Sequence, residues 1–303
     1  MCQRTALLLL LIPLCGCAPT EESHMKAIVG AVLIDGLGGP PRSDSVVLAA
    51  GDRIREAGIR STVVIPAEAD KVDGSGRCIV PALLDVYVKG VEADNFVAGH
   101  PATPEAARAQ VARLAGQKAG AVHLWKMDPA VAQAALEAAR EAAIPVIGHV
   151  STQSDVRFLV DGGAAGFVGM ITDTEDLDPA LVARLRDLHI FFAPALVTAG
   201  SSLEIAKRNT HRLFAAGVPI ALASNGGDAG REPELLVDAG IPPLDVIVAA
   251  TRNSAAALGR LDDAGTVEAG KRADLLLLSA NPGEDIRNLQ KIVLRMSGGN
   301  WVK

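Results

Sequence analysis

His149 closes the apolar run "PVIGHVS", which places an imidazole at the end of a buried strand. There it could act as a general acid or base, or as a metal ligand. A hydrogen-bonded packing histidine fits the same position, and both readings stay open. "AVHLWKM" carries His123 and Lys126 around Trp125, and "LLDVYVKG" carries Asp85, Tyr87 and Lys89. A desolvated lysine can form a Schiff base or hold an anion, while the same side chain can simply reach solvent. Tyr87 would ligate a metal only as phenolate, against an ordinary pKa of about 10. Asp85, mid-strand, suits a structural hydrogen bond to a neighbouring loop. Asp228, in "SNGGD", lies beyond the reach of a strand end unless its loop folds back. His100, His189 and His211 fall in a loop, before a strand and on a helix, where surface or packing roles suffice.

The elements that would carry these side chains change character along the chain. Residues 25–80 read as short strands and turns: "KAIVGAVLIDG" is apolar with glycine stops, and "SVVLAAGDRIREAG" alternates around Gly51-Asp52 as a hairpin. "GLGG" (Gly36–Gly39) lacks the lysine and following helix of a phosphate loop and reads as a turn. From Pro81 onward, strands and helices alternate. Thr103-Pro104 opens the first helix as N-cap and first-turn proline. Apolar strands separated by helices imply a parallel sheet covered by helices, as an open sheet or a closed barrel. The tail from "GTVEAGKRADLLLL" returns to strand pattern.

The chain has 303 residues and a formal charge of −6, enough for a large domain plus a smaller one. The acidic balance and 3% aromatic content argue against a nucleic-acid partner. At the start, Arg4 and the apolar "ALLLLLIPL" form a targeting segment too short to span a bilayer. "LCGC", ending at Cys17, resembles the lipobox of bacterial lipoproteins. That resemblance implies signal removal over 1–17, a lipidated Cys17, a polar tether over 18–24, and a place on the periplasmic side of a bacterial cell envelope. An ordinary cleaved signal peptide is the alternative. Cys2 and Cys15 would leave with the signal, so Cys78 would have no internal disulfide partner.

"LIDGLGGPP", "GDRIREAG", "IVPALLDV", "NTHRLFAAGVPIALAS", "ATRNSAAALG" and "GTVEAGKRADLLLL" together resemble the amidohydrolase superfamily, in its imidazolonepropionase-like and prolidase-like branch. The resemblance implies a (β/α) TIM-like barrel over 81–261 and a composite β-sandwich built from 25–80 and 262–303. It also implies zinc-dependent hydrolysis of C–N bonds in cyclic amides or dipeptides, with metal held at the C-terminal ends of the strands. In that frame the family's ligand positions fall on Tyr87, Lys89, His149 and Gly169, and its catalytic aspartate on Asn225. The fourth-strand lysine falls on His123 or, with a shift, on Lys126.

Those substitutions are poor metal donors. An ammonium at Lys89 offers protons rather than a lone pair, Gly169 offers nothing, and Asn225 is no base. A catalytic zinc site normally has three protein ligands. The expectation is therefore a lipoprotein of amidohydrolase descent, inactive or weakly active, with no cofactor where the family would use zinc. Two alternatives stand beside it: a hydrolase with a site rebuilt around His149, His123 and Lys126, and a metal-free binding or lysine-dependent protein. The span from Tyr87 to His123 is also short for the two strand–helix units the family places there. A barrel lacking about two units would leave sheet edges that a second copy of the chain could cover.

Overall fold

The computed structural model describes residues 25–87, 101–117 and 119–302. Cys17, Lys89 and His100 lie outside the described residues.

Strands from both ends of the chain share one sheet. The N-terminal part supplies β1 (Lys26–Leu33), β2 (Arg42–Ala50), β3 (Arg53–Ile59), β4 (Asp70–Asp73) and β5 (Cys78–Pro81). The C-terminal part supplies β10 (Leu275–Leu278), β11 (Ile292–Ser297) and β12 (Asn300–Val302). Their order is β12-β11-β10-β5-β1-β2-β3, with β4 also on β1. The β2–β3 hairpin turns at Gly51-Asp52, where Gly51 has φ 57. β1 divides one edge between two partners: Lys26–Val29 pairs with β4 and Val32–Leu33 with β5. The break falls at Gly30, which has φ 85, a conformation glycine adopts at little cost. Such bends let one strand serve two packed layers.

Period-two alternation then sorts the side chains. Ile79, Leu275 and Leu277 join the core within the sheet domain, with Ile28, Leu33, Val47 and Ile54. Their neighbours Cys78, Val80, Leu276 and Leu278 face the other way, into the large core shared with the helices. β5 and β10 are thus buried on both faces, as their unbroken apolar runs require.

Between the two halves of that sheet come α1 (Pro104–Gly116), β6 (Val122–Leu124), α2 (Pro129–Glu141), β7 (Val146–Val150), α3 (Gln153–Asp161), β8 (Gly166–Gly169), α4 (Pro179–Asp187) and β9 (Phe191–Ala193). After 3-10 turns at Leu196–Thr198 and Gly200–Ser202 follow α5 (Leu203–Ala215), α6 (Glu232–Asp238), α7 (Pro243–Val248), a π turn (Ala249–Asn253) and α8 (Ser254–Ala257). Helix starts are written locally. Thr103, Asp128 and Asp178 cap α1, α2 and α4, each followed by proline at the first turn. Thr152 and Asp155 form a reciprocal capping box on α3, which satisfies two otherwise orphaned amides.

β6, β7, β8 and β9 form a parallel sheet in that order. Two further segments extend it without becoming regular strands. Residues 219–222 join β9 through the Phe192–Ile220 bridge and the bond from Ala221 N to Phe192 O (2.8 Å). Residues 84–87 join that segment through Val86 N to Leu222 O (2.8 Å) and Asn225 N to Tyr87 O (3.1 Å). The strands expected at "LLDVYVK" and "VPIALASN" are therefore held by scattered bonds rather than full ladders. Six segments make a hydrogen-bonded arc, and among the described residues no closed barrel is formed.

Candidate functional site

The parallel arrangement puts the C-terminal ends of β6, β7, β8 and β9 on one rim. Alternation decides which side chains enter the arc. Val122, Val146, Phe167 and Phe192 pack outward against helices. Ala121, Ile147, Val168, Phe191 and Ala193 pack inward with Val86 and Tyr87. His123 and His149 continue the inward set two residues on. Register adds a further constraint: His123 lies opposite Ile147, so the next inward pair along these strands is Trp125 and His149.

That juxtaposition is realised as a packed aromatic cluster. Trp125 stacks on His149 with ring centroids 3.7 Å apart and planes 13° apart. The Tyr87 ring meets His149 edge-on at 4.7 Å and 79°. Nδ1 of His123 lies 3.3 Å from Nε2 of His149, one nitrogen donating and the other accepting. Burial pushes both imidazoles toward neutrality. His123 is lowered to about 4, and His149 to about 3, where the neighbouring His123 adds to the effect of burial. Near pH 7 both rings are uncharged.

The floor beside this cluster is tied by a carboxylate. Asp85 accepts from the backbone N–H of Ser224 (3.2 and 3.0 Å to its two oxygens) and of Tyr87 (2.9 Å). Burial raises its pKa despite those donors. Asn225 follows at φ 47, a left-handed conformation that asparagine tolerates better than most residues.

The sequence-derived candidates separate accordingly. His123, His149 and Tyr87 come together. Lys126 is exposed past the end of β6, outside every hydrogen bond and ion pair among the described residues. Gly169 ends β8 at φ 94, and a β-carbon there would sit 2.5 Å from the Val150 carbonyl oxygen. Asp228 is exposed and accepts from Gly230 N (2.9 Å), closing its own turn. His189 has φ 53 just past α4, a helix-stop position. Cys78 is buried, and its thiol is pushed up to about 12 by burial and by Glu284, so it is inert as a nucleophile.

One residue has no counterpart in the sequence reading. Glu232, at the start of α6, is fully buried. Its two oxygens accept from consecutive amides, Leu196 N and Val197 N, each at 2.8 Å. Burial raises its pKa to about 7, against the effect of those amides and with a further push from Asp85. "GREPELL" gives no hint of this, because the partners are backbone groups 36 and 35 positions away.

The donors on this rim can be compared with what zinc requires. His123 and His149 supply imidazole nitrogens. Burial moves the Tyr87 phenol further from ionisation, Gly169 has no side chain, and the Asn225 amide is a weak donor. Among the described residues no three His, Cys, Asp or Glu side chains gather as a metal-binding group. The described donor set does not fit a catalytic zinc with three protein ligands.

The family model for the amidohydrolase family matches residues 95–302, and the chain belongs to that family. It is 41% identical over 108 residues to an imidazolonepropionase of Aromatoleum aromaticum, a match covering 30% of this chain and 26% of that protein. The matched stretch thus spans about a quarter of the curated relative's length. Among solved structures, phenylurea hydrolase B superposes with a TM-score of 0.78 at 19% identity, covering 92% of this chain and 97% of the other. A Xaa-Pro dipeptidase with methionine in its active site gives 0.77 at 15%, covering 92% and 100%. At these identities the likeness shows the fold. Members of this family usually use a metal such as zinc.

Proposed function

We propose that this chain is an amidohydrolase-family protein whose rim binds a small amide-bearing ligand, and whose zinc-dependent hydrolysis is lost or weak. The observation that carries this reading is the environment of His149. Its Nε2 is engaged with His123, one ring face is covered by Trp125, and Tyr87 closes its edge. The imidazole kept at a family ligand position is built into a packed cluster instead of standing open to an ion. Stacked and edge-on rings of this kind suit a flat amide or lactam group. A lipid anchor at Cys17, on the envelope side expected from "LCGC", belongs to the same proposal.

A second reading rests on the His123–His149 contact itself. Two neutral, adjacent imidazoles form a relay that could take a proton from an attacking water, although pKa values of about 4 and about 3 make both rings weak bases near pH 7.

Elemental analysis separates the two when joined to an activity assay. The full chain, purified in detergent, is loaded with zinc and dialysed, then offered a cyclic amide and an Xaa-Pro dipeptide. Sub-stoichiometric zinc, with no hydrolysis above that of His149→Ala, supports the first reading. Stoichiometric zinc, with hydrolysis lost in His149→Ala, overturns it. Hydrolysis without zinc that disappears in both His123→Ala and His149→Ala selects the relay.

A further inference from the structure

Where β5 ends, the chain leaves the sheet shared by its two ends and crosses to the arc. Ala82 N still donates to Asp274 O (2.9 Å), but two residues on Leu84 N donates to Ala250 O (2.8 Å). Beside that crossing, the corner formed by β10, β11 and β12 borders a cavity of about 350 Å³. Ala82, Leu84 and the turn Ala264–Thr266 line it together with residues of the three strands.

Register fixes what the sheet presents there. Leu294 and Met296 pack with the core inside the sheet domain, so Val293, Arg295 and Ser297 lie on the other face of β11. Arg295 stands opposite Leu276 on one neighbouring strand and Val302 on the other, a guanidinium set in an apolar row. Val293 and Val302 are 44% and 41% exposed, so apolar surface beside the guanidinium is left uncovered. The charges of the lining are unequally matched. Arg272 is held by Asp274: its Nε donates to Oδ2 (3.0 Å), while Gly298 N donates to Oδ1 (2.6 Å). Lys271 and Glu268 pair with each other (3.1 Å) and are not part of the lining. Arg295 takes part in no hydrogen bond or ion pair among the described residues. The lining therefore carries two guanidinium groups and one carboxylate, a surplus of a single positive charge.

We propose that this cavity binds a small monocarboxylate with an apolar body. The carboxylate accepts two parallel N–H bonds from the Arg295 guanidinium, with the Ser297 hydroxyl on the same face two residues on. The apolar body lies along Leu276, Val302 and Leu84. One surplus positive charge selects a monoanion: a phosphate dianion would leave a negative charge uncompensated near Asp274, and an amine would be repelled by Arg295. A neutral chain of the same length would cover the guanidinium without giving it an acceptor, which costs binding. A volume of this size, apolar for the most part with a few polar groups, is the usual make-up of a small-molecule site. The cavity shares no residue with the His123–His149 cluster, and its occupancy does not depend on what the rim does.

Titration calorimetry on the full chain in detergent, with the heats of the detergent alone subtracted, tests it. Hexanoate is the probe, with hexanol, hexylamine and hexyl phosphate beside it. Hexanoate should saturate a single site with a Kd on the order of 1 mM or tighter. Hexanol and hexylamine should bind at least about tenfold more weakly. Arg295→Gln should weaken hexanoate by at least about tenfold and leave the melting curve in place, because the exposed Arg295 head holds no other group. Should that variant fail to fold, Ser297→Trp, which fills the cavity from an exposed position, should remove hexanoate binding in its stead. Absence of saturation up to about 20 mM would overturn the site. So would hexanoate affinity that is unchanged in Arg295→Gln or Ser297→Trp, or hexyl phosphate or hexanol binding as tightly as hexanoate.

Discussion

Gly169 and the carbonyl of Val150 meet so closely that no β-carbon fits between them: one placed on Gly169 would lie 2.5 Å from the Val150 oxygen. Gly169 also stands at φ 94, outside the comfortable range of L side chains. The family resemblance leads one to expect a metal-binding histidine here, and the backbone at Gly169 does not accept one.

It follows that Gly169→His should not rebuild a zinc site. Backbone strain alone is worth about 1–3 kcal/mol, and the contact with Val150 adds to it. The urea midpoint should fall accordingly, and zinc uptake should stay at the wild-type level. A variant with unchanged stability and stoichiometric zinc would show that the β8 end relaxes freely, contrary to the packing described above.

Trp125 offers a direct readout of His149. A protonated imidazole stacked on an indole quenches its emission, and an ordinary histidine would do so with a midpoint near 6.5. Here burial and His123 lower His149 to about 3, although the indole face would favour a cation. In a Trp301→Phe background, which leaves Trp125 as the remaining tryptophan, emission should hold steady as pH falls from about 7 to about 5. It should drop only nearer pH 3–4. Quenching with a midpoint near 6.5 would mean that His149 is hydrated and free of the cluster.

How much of this was legible in the sequence follows from the range of the interactions. The hairpin at Gly51-Asp52, the Thr103-Pro104 helix start and the apolar strands all rest on local signals, and the structure has them where the residues place them. "LLDVYVK" and "VPIALASN" look equally strand-like, yet they are held by a few scattered bonds, because pairing depends on neighbours and not on apolar content alone. Within the site, His149 and Tyr87 were visible as polar groups at apolar strand ends. The Trp125–His149 stack needed the β6–β7 register, which cannot be read from one strand. Glu232 was invisible for a related reason: its partners are two backbone amides, which leave no trace in residue type.

The rim's titrating groups give the chain a stability optimum, and its two flanks have different owners. His123 and His149 have folded pKa values of about 4 and about 3, below the ordinary 6.5. Between those values the unfolded chain binds more protons than the folded one, so their contribution is present above about pH 6.5 and is lost as pH falls toward 4 and 3. Glu232 runs the other way. Its folded pKa of about 7 exceeds the ordinary 4.5, so the folded state holds the extra proton across that interval. Its contribution is complete below about pH 4.5 and is lost as pH rises through 7, on the order of 3 kcal/mol at about 1.4 kcal/mol per unit. Thermal unfolding followed from about pH 4 to about pH 9 should therefore show a maximum on the acid side of neutrality. Glu232→Gln should flatten the alkaline flank and leave the acid flank in place, while His149→Phe should soften the acid flank alone. An alkaline flank of unchanged slope in Glu232→Gln would assign the loss above neutrality to another group and remove the carboxylate from this account.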